Sequence, residues 1–167
     1  ALTGHLVFST LHTNDALSAV PRLTDLGVPP YLLAGSLLGL SAQRLARRLC
    51  PICRESFEMS ATEWNALAGQ GSPLLTETAV TLHRPVGCEA CAQKGYSGRV
   101  SIAEIVEVDK AVRGWIEHGK SVGTMQEQLR ASGVPFMRDD GLAKALAGLT
   151  SVEEIARVVQ LESEEVL

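Results

Sequence analysis

Cys50-Pro-Ile-Cys53 and Cys88-Glu-Ala-Cys91 organise this chain of 167 residues, and they contain its four cysteines. The 34 residues numbered 54–87 separate the two pairs. Two Cys-x-x-Cys pairs supply four thiolates that can surround a zinc ion tetrahedrally, because soft sulfur suits this borderline-soft metal. The sequence therefore predicts a structural zinc site, closed to substrates, with residues 54–87 held at its base. Its predicted ligands are Cys50, Cys53, Cys88 and Cys91.

Two disulfides, or four buried cysteines acting as small apolar residues, are the alternatives to a zinc site. A disulfide within Cys-x-x-Cys closes a very short and strained ring. Nothing in the sequence favours an oxidising compartment, where structural disulfides persist. We therefore expect a reduced, cytoplasmic protein that carries a metal ion.

Composition narrows the class of protein further. The net charge of −4 argues against general nucleic-acid binding, although four arginines gather at positions 44, 47, 48 and 54. No apolar run reaches the ~20 residues that a membrane-spanning helix needs. The length suits one medium domain or two small ones. The chain opens at Ala1 without a methionine and soon enters an apolar stretch, so we expect a fragment of a larger protein.

Apolar periodicity and capping residues predict an α/β fold that is mostly helical. A buried strand at residues 5–9 should lead through a polar turn at 10–15 into a helix, capped by Thr13 or Asn14 and ended by Gly27. Residues 31–49 should form a second helix. Shorter elements follow: a helix after the capping box at 60–63, a loop at 69–73, strands at 80–84 and 100–108, helices beginning near Asp109, Thr124, Asp139 and Thr150, and an acidic tail at 162–167.

Gly114-Trp-Ile-Glu-His-Gly-Lys-Ser121 matches the phosphate-loop pattern G-x-x-x-x-G-K-[ST]. A phosphate loop follows a strand, and its backbone wraps closely around the anion. Here Asp109 instead begins a predicted helix that runs to about His118, and Gly119 ends it. The sequence therefore predicts a helix end at this position. A small standalone nucleotidase that uses these residues is the hypothesis that we set aside.

Thr3-Gly-His-Leu-Val-Phe-Ser-Thr-Leu-His-Thr-Asn-Asp-Ala16 resembles the histidine box of the secretion ATPase superfamily, and within it that of the type II secretion and type IV pilus assembly ATPases. Pilus retraction ATPases share this box but lack the four cysteines, so the cysteines favour the secretion or assembly branch. The motifs do not separate type II secretion from pilus assembly. Later stretches resemble the same family in the same order: residues 42–51, Gly95-Tyr-Ser-Gly-Arg99, Arg138-Asp-Asp-Gly141 and Gly148-Leu-Thr-Ser-Val-Glu-Glu154.

The resemblance implies the C-terminal part of a hexameric, cytoplasmic ATPase. Residues 1–49 would then end a RecA-like core, 50–98 would form the zinc-binding subdomain, and 99–167 would form a short strand and a helical subdomain. His12 would sense the γ-phosphate of ATP, and His5 would be the structural or coupling member of the box. The polar turn around His12 agrees with this role, because a side chain there can reach a phosphate.

The resemblance also implies cofactors and partners. ATP and Mg²⁺ would be bound in the full-length parent, whose phosphate loop and magnesium-binding carboxylates lie upstream of the matching region in the family. The expected partners are the other subunits of a homo-hexamer and the inner-membrane platform proteins of a secretion or pilus machine. We expect no nucleic-acid partner.

A free-standing zinc-ribbon module is the alternative function. In that hypothesis Arg44, Arg47 and Arg48 contact nucleic acid or an acidic protein partner. The acidic net charge and an aromatic content of 4% count against it. A steep dependence of DNA binding on salt concentration would support it.

Lys120→Ala distinguishes a helix end from a phosphate loop at residues 114–121. We expect neither this chain nor its variant to release phosphate from ATP and Mg²⁺ faster than buffer does, because no nucleotide site is predicted there. The measurement is a phosphate-release assay on both proteins. Turnover that disappears in the variant would contradict this interpretation and restore the phosphate loop.

Overall fold

The structure, a computed structural model, describes residues 4–68 and 78–159. The loop predicted at 69–73 and the tail predicted at 162–167 lie outside these residues. The described elements, in chain order, are α1 (Ala19–Asp25), α2 (Pro30–Ser36), β1 (Gly39–Leu49), β2 (Glu55–Ser60), α3 (Ala61–Ala68), β3 (Ala79–Arg84), β4 (Tyr96–Glu107), α4 (Lys110–Glu117), α5 (Val122–Ala131), α6 (Met137–Leu146) and α7 (Val152–Val159). The predicted α/β class is confirmed. None of the described helices is long and apolar enough to cross a membrane.

The chain divides into two compact units. The first contains residues 1–42 and 104–134, and the second contains residues 43–103 and 135–167. Strands β1 and β4 are neighbours in one two-stranded sheet, and β2 and β3 form another. One boundary between the units, at residues 42 and 43, falls within β1, and another, at residues 103 and 104, falls within β4.

In the first unit, α2 packs against α4. The side chain of Arg113 on α4 donates a hydrogen bond to the carbonyl of Ala34 on α2. Asp109 begins α4, because its Oδ1 accepts the Val112 N–H at 2.8 Å. Gly119 follows the helix with a φ of 66°. The helix end predicted in place of a phosphate loop is therefore confirmed.

The second unit contains a buried cluster that strand β3 shares with three helices, and Phe57 and Met59 of β2 pack against it. The strands pair antiparallel, with Phe57 opposite Leu82. The predicted capping box before α3 is present, since Ser60 Oγ accepts the Glu63 N–H at 3.2 Å and Glu63 Oε2 accepts the Ser60 N–H at 3.1 Å. The cluster consists of Trp64, Ala68, Val80, Leu82, Leu142, Ala145 and Val152. In its described part, the segment between the cysteine pairs is therefore a strand, a helix and a strand.

The helix predicted over residues 31–49 is wrong in its second half. Helix α2 ends at Ser36, Leu37 is extended with a ψ of 134°, and Gly39–Leu49 forms β1. Alanine, leucine and arginine favour a helix in isolation. Here pairing with β4 supplies backbone partners that a helix would otherwise provide internally, so the tertiary context overrides the local preference.

The strand predicted at residues 5–9 is also not formed. Residues 5–13 have no regular secondary structure. The side chains of Leu6, Val7 and Phe8 are exposed by 67%, 60% and 89%. A strand needs a neighbour that pairs with its backbone groups, and no segment at 4–68 or 78–159 pairs with this one.

Helix α1 starts later than its predicted caps. Instead of Thr13 or Asn14 capping it, Ser18 precedes its first residue, and the Asp15 side chain accepts the Ser18 N–H at 2.8 Å. The predicted end is confirmed, because Gly27 has a φ of 92° and donates its N–H to the Thr24 carbonyl at 2.9 Å. Pro21 lies in the first turn, where a helix tolerates its missing N–H.

Glu154 anchors α7 within the second unit. It is 1% exposed and accepts the Arg47 N–H at 2.9 Å, the Arg47 Nη2 at 2.7 Å and the Arg157 Nη2 at 2.6 Å. The Arg47 guanidinium also lies 4.1 Å from the centre of the Tyr96 ring. Burial by itself raises the pKa of Glu154, but hydrogen bonds from Arg157 and Arg47 outweigh burial and lower the pKa to about 2.

Glu154→Gln should lower the free energy of unfolding by about 2–3 kcal/mol at neutral pH, because the variant loses charged hydrogen bonds around a buried group. The folded-state pKa lies below the ordinary value of 4.5, so this contribution is complete above that value and declines as the pH falls toward about 2. Urea unfolding at pH 7 and pH 3 measures the expected decline.

Glu55→Gln is the matched control. The Glu55 carboxylate pairs with Arg84 on the surface, where both side chains are more than half exposed. Its loss should change the free energy of unfolding by less than about 0.5 kcal/mol. Equal losses in the two variants, or a loss from Glu154→Gln that does not shrink in acid, would contradict the prediction.

Candidate functional site

The four cysteine thiols converge in the second unit. The Sγ atoms of Cys50 and Cys88 lie 3.9 Å apart, and Cys91 Sγ lies 3.8 Å from those of Cys53 and Cys88. All four atoms lie within 4.8 Å of one another. Sulfur ligands at about 2.3 Å from a tetrahedral zinc ion lie roughly 3.8 Å apart, whereas disulfide sulfurs are about 2.05 Å apart. The arrangement therefore fits one shared metal ion and not two disulfides.

Backbone N–H groups from two glycines point at the sulfur atoms. Gly87 donates to Cys53 Sγ at 3.3 Å, and Gly95 donates to Cys91 Sγ at 3.2 Å. Gly95 has a φ of 71°, and a Cβ built on it would lie 2.5 Å from Pro85 Cβ. A larger residue at position 95 would therefore displace a donor to the sulfur cluster.

The pKa values of two thiols in the cluster are shifted in opposite directions. Burial and the neighbouring thiols raise the pKa of Cys53 to about 12. Burial also raises the pKa of Cys91, but N–H donors from Cys88 and Gly95 outweigh it and lower the pKa to about 6. Four adjacent thiolates repel one another, so they ionise together only around a positive ion. The cysteines can hold a metal ion.

The predicted histidines lie in the first unit, whereas the four cysteines lie in the second. Both His5 and His12 are exposed. His12 lines an open cleft formed by the turn at residues 12–15 and by one face of α1, which contributes Arg22; His5 is not among the lining residues. The structure therefore places His12, and not His5, at a cleft.

The arginines treated as one basic cluster have separate contacts. Arg44 Nη1 donates to the Val158 carbonyl at 2.6 Å, and Arg47 binds Glu154. Arg44 and Arg47 therefore hold α7 inside the second unit, Arg54 donates a hydrogen bond to the Gly148 carbonyl, and Arg48 is exposed. Sequence reasoning missed Glu154 as the partner of Arg47, because the two acidic residues at 153 and 154 are typical of a helix start and nothing local marks one of them as buried.

The fold and the four-cysteine cluster define an α/β protein with a candidate metal site. The sequence model of the family described as "Type II/IV secretion system protein" matches residues 1–157. The chain belongs to this family, and the resemblance seen in its motifs is confirmed at that level.

Three relatives show where the similarity lies. The chain is 47% identical to the type II secretion system protein E of Pseudomonas aeruginosa over 97% of its length. It is 44% identical to the type II secretion system ATPase E of Vibrio cholerae and 40% identical to the type IV pilus assembly ATPase PilB of Thermus thermophilus, each over 96% of its length. The chain spans 31% of each of the first two proteins and 18% of the third.

Metal removal tests the sulfur cluster directly. We expect about one metal ion per chain in protein purified without chelator, because four thiols share one centre. A strong chelator should remove this ion and abolish the cooperative thermal unfolding of the second unit, since metal binding and folding are coupled. Elemental analysis and calorimetry, with and without chelator, measure both effects.

Cys53→Ser should lose the metal, whereas Ser97→Ala, at an exposed position of the same unit, should retain it. A chain that is free of metal and equally stable with and without chelator would show that the cluster is not a metal site.

Proposed function

We propose that this chain is the C-terminal part of a hexameric, cytoplasmic ATPase that powers type II protein secretion or type IV pilus assembly. The observation that carries the proposal is family membership over residues 1–157, together with relatives named as such ATPases, of which the chain spans at most 31%. In this proposal residues 1–49 end a RecA-like core, 50–98 form the zinc subdomain and 99–167 include the helical subdomain.

His12 is the residue of this chain that meets the γ-phosphate of ATP, and His5 couples the box to the rest of the core. The exposure of His12 and its place on an open cleft support its proposed contact with the γ-phosphate. A donor that contacts only the γ-phosphate binds differently in the ATP and ADP states, and such a difference can drive a conformational change. Residues outside this chain bind the other phosphates and Mg²⁺, so the chain by itself does not hydrolyse ATP.

The metal in this proposal is a structural Zn²⁺ with four cysteine ligands, which leave no open position for a substrate. It holds the turn after β1 against the segment that contains Cys88 and Cys91. The described part of the segment between the pairs, residues 54–68 and 78–87, then serves as a docking surface for another subunit of the hexamer or for an inner-membrane platform protein.

The zinc-ribbon alternative has less support. Its proposed contacts to nucleic acid depend on Arg44, Arg47 and Arg48, and the first two of these arginines are bonded to α7. The net charge of −4 also opposes attraction to a phosphate backbone.

A chimeric ATPase tests the proposed function. This chain replaces the matching segment of the type II secretion system ATPase E of Vibrio cholerae, and hydrolysis of ATP with Mg²⁺ is measured. We expect the chimera to be active. His12→Ala should lower kcat by about 100-fold with little change in KM, because the lost contact acts mainly on the transition state.

His118→Ala is the matched control, since His118 is an exposed histidine of the same unit that contacts the Gly114 carbonyl. It should retain the full rate. An assembled chimera without ATPase activity would contradict the proposal, as would an equal loss in the two histidine variants.

A further inference from the structure

Glu104 is a buried carboxyl group of the first unit that the sites described above do not use. It lies on β4 and is 5% exposed. Its Oε1 accepts the backbone N–H of Ala16 at 2.6 Å, across 88 positions of sequence. Ala16 and the following Leu17 are 2% and 0% exposed. The hydrogen bond therefore lies in the interior, where leaving the N–H without an acceptor would be costly.

Ala16 is the point at which the turn containing His12 enters the interior. On the C-terminal side of Ala16, the N–H and the hydroxyl of Ser18 donate hydrogen bonds to the Asp15 side chain at 2.8 and 2.6 Å. On its N-terminal side, residues 5–13 form neither a helix nor a strand. Glu104 thus provides a fixed attachment four positions from His12, and it does so from a strand, which is a more rigid support than a loop.

We infer that Glu104 is a positioning residue for His12. By accepting the Ala16 N–H, its side chain sets where the turn at residues 12–15 lies, and with it the His12 imidazole. This inference rests on the proposed role of His12. A group that must meet a phosphate at hydrogen-bond distance is sensitive to small displacements, and an error of about 1 Å can cost 100-fold in rate.

Two substitutions separate the reach of this side chain from its charge. Glu104→Gln keeps an oxygen at the same distance from the strand and loses the charge. Glu104→Asp keeps the carboxyl group but is one methylene shorter, so it cannot reach the Ala16 N–H without a shift of the backbone. If the side chain positions the turn by its reach, Gln should behave like the original residue and Asp should not.

The first measurement uses this chain alone. Amide hydrogen exchange and the imidazole signals of His12 are followed by NMR in both variants and in Val106→Ala, a control that perturbs another buried residue of the same strand. In Glu104→Asp the Ala16 amide should exchange at least roughly 10-fold faster, beyond any change common to the whole unit. The His12 signals should shift in this variant and remain unchanged in Val106→Ala.

The second measurement uses the chimeric ATPase described above. Glu104→Asp should lower kcat by about 10-fold to 100-fold with KM nearly unchanged, and Glu104→Gln should retain a rate within about threefold of the original. A rate that falls in Glu104→Asp but is retained in Glu104→Gln, the variant of equal side-chain length, is a result that general destabilisation would not produce.

The outcomes distinguish this inference from the proposed function. If Asp leaves the exchange of Ala16 unchanged, if Gln loosens the turn equally, or if all three variants accelerate exchange uniformly, Glu104 does not position the turn. A second outcome concerns the rate. If Glu104→Asp loosens the turn but leaves kcat unchanged, while His12→Ala abolishes turnover, the positioning role is overturned and the role of His12 stands. If His12→Ala has no effect on turnover, the proposed function of His12 fails, whatever the NMR result.

Discussion

The sulfur atoms of the four cysteines lie within 4.8 Å of one another, and the surrounding backbone of the second unit is arranged to keep them there. The Cys50 N–H donates to the Gly95 carbonyl at 3.0 Å, which joins the end of β1 to the segment before β4. Gly95 then donates its own N–H to Cys91. Because four ligands from two distant segments would share one centre, a metal ion bound there would join cysteines that lie 38 positions apart in the chain.

Each unit also contains a buried carboxyl group that accepts a backbone N–H from a distant segment. Glu154 accepts the N–H of Arg47 in the second unit, and Glu104 accepts that of Ala16 in the first. A buried N–H requires an acceptor, and a long acidic side chain can supply one where no strand or helix reaches. These two contacts tie α7 to β1, and the histidine turn to β4.

Two local signals in the sequence predicted local structure correctly. The capping box of Ser60 and Glu63 and the cap at Asp109 are formed by residues three positions apart, so their geometry depends little on the rest of the chain. The same independence allowed the phosphate-loop match at residues 114–121 to be set aside. The second half of the helix predicted over 31–49 failed for the opposite reason. Its residues satisfy a helical spacing, but their backbone pairs with a strand about fifty positions away.

The sequence by itself determined the family, the two cysteine pairs as one candidate metal site, and the histidine box, because these depend on which residues are present and in what order. The tertiary structure alone decided that residues 39–49 form a strand, that Arg44 and Arg47 bind α7, and that Glu104 accepts the Ala16 N–H. Each of these depends on contacts between residues far apart in the chain. Their energies are set by burial and by hydrogen-bond partners, which local spacing does not specify.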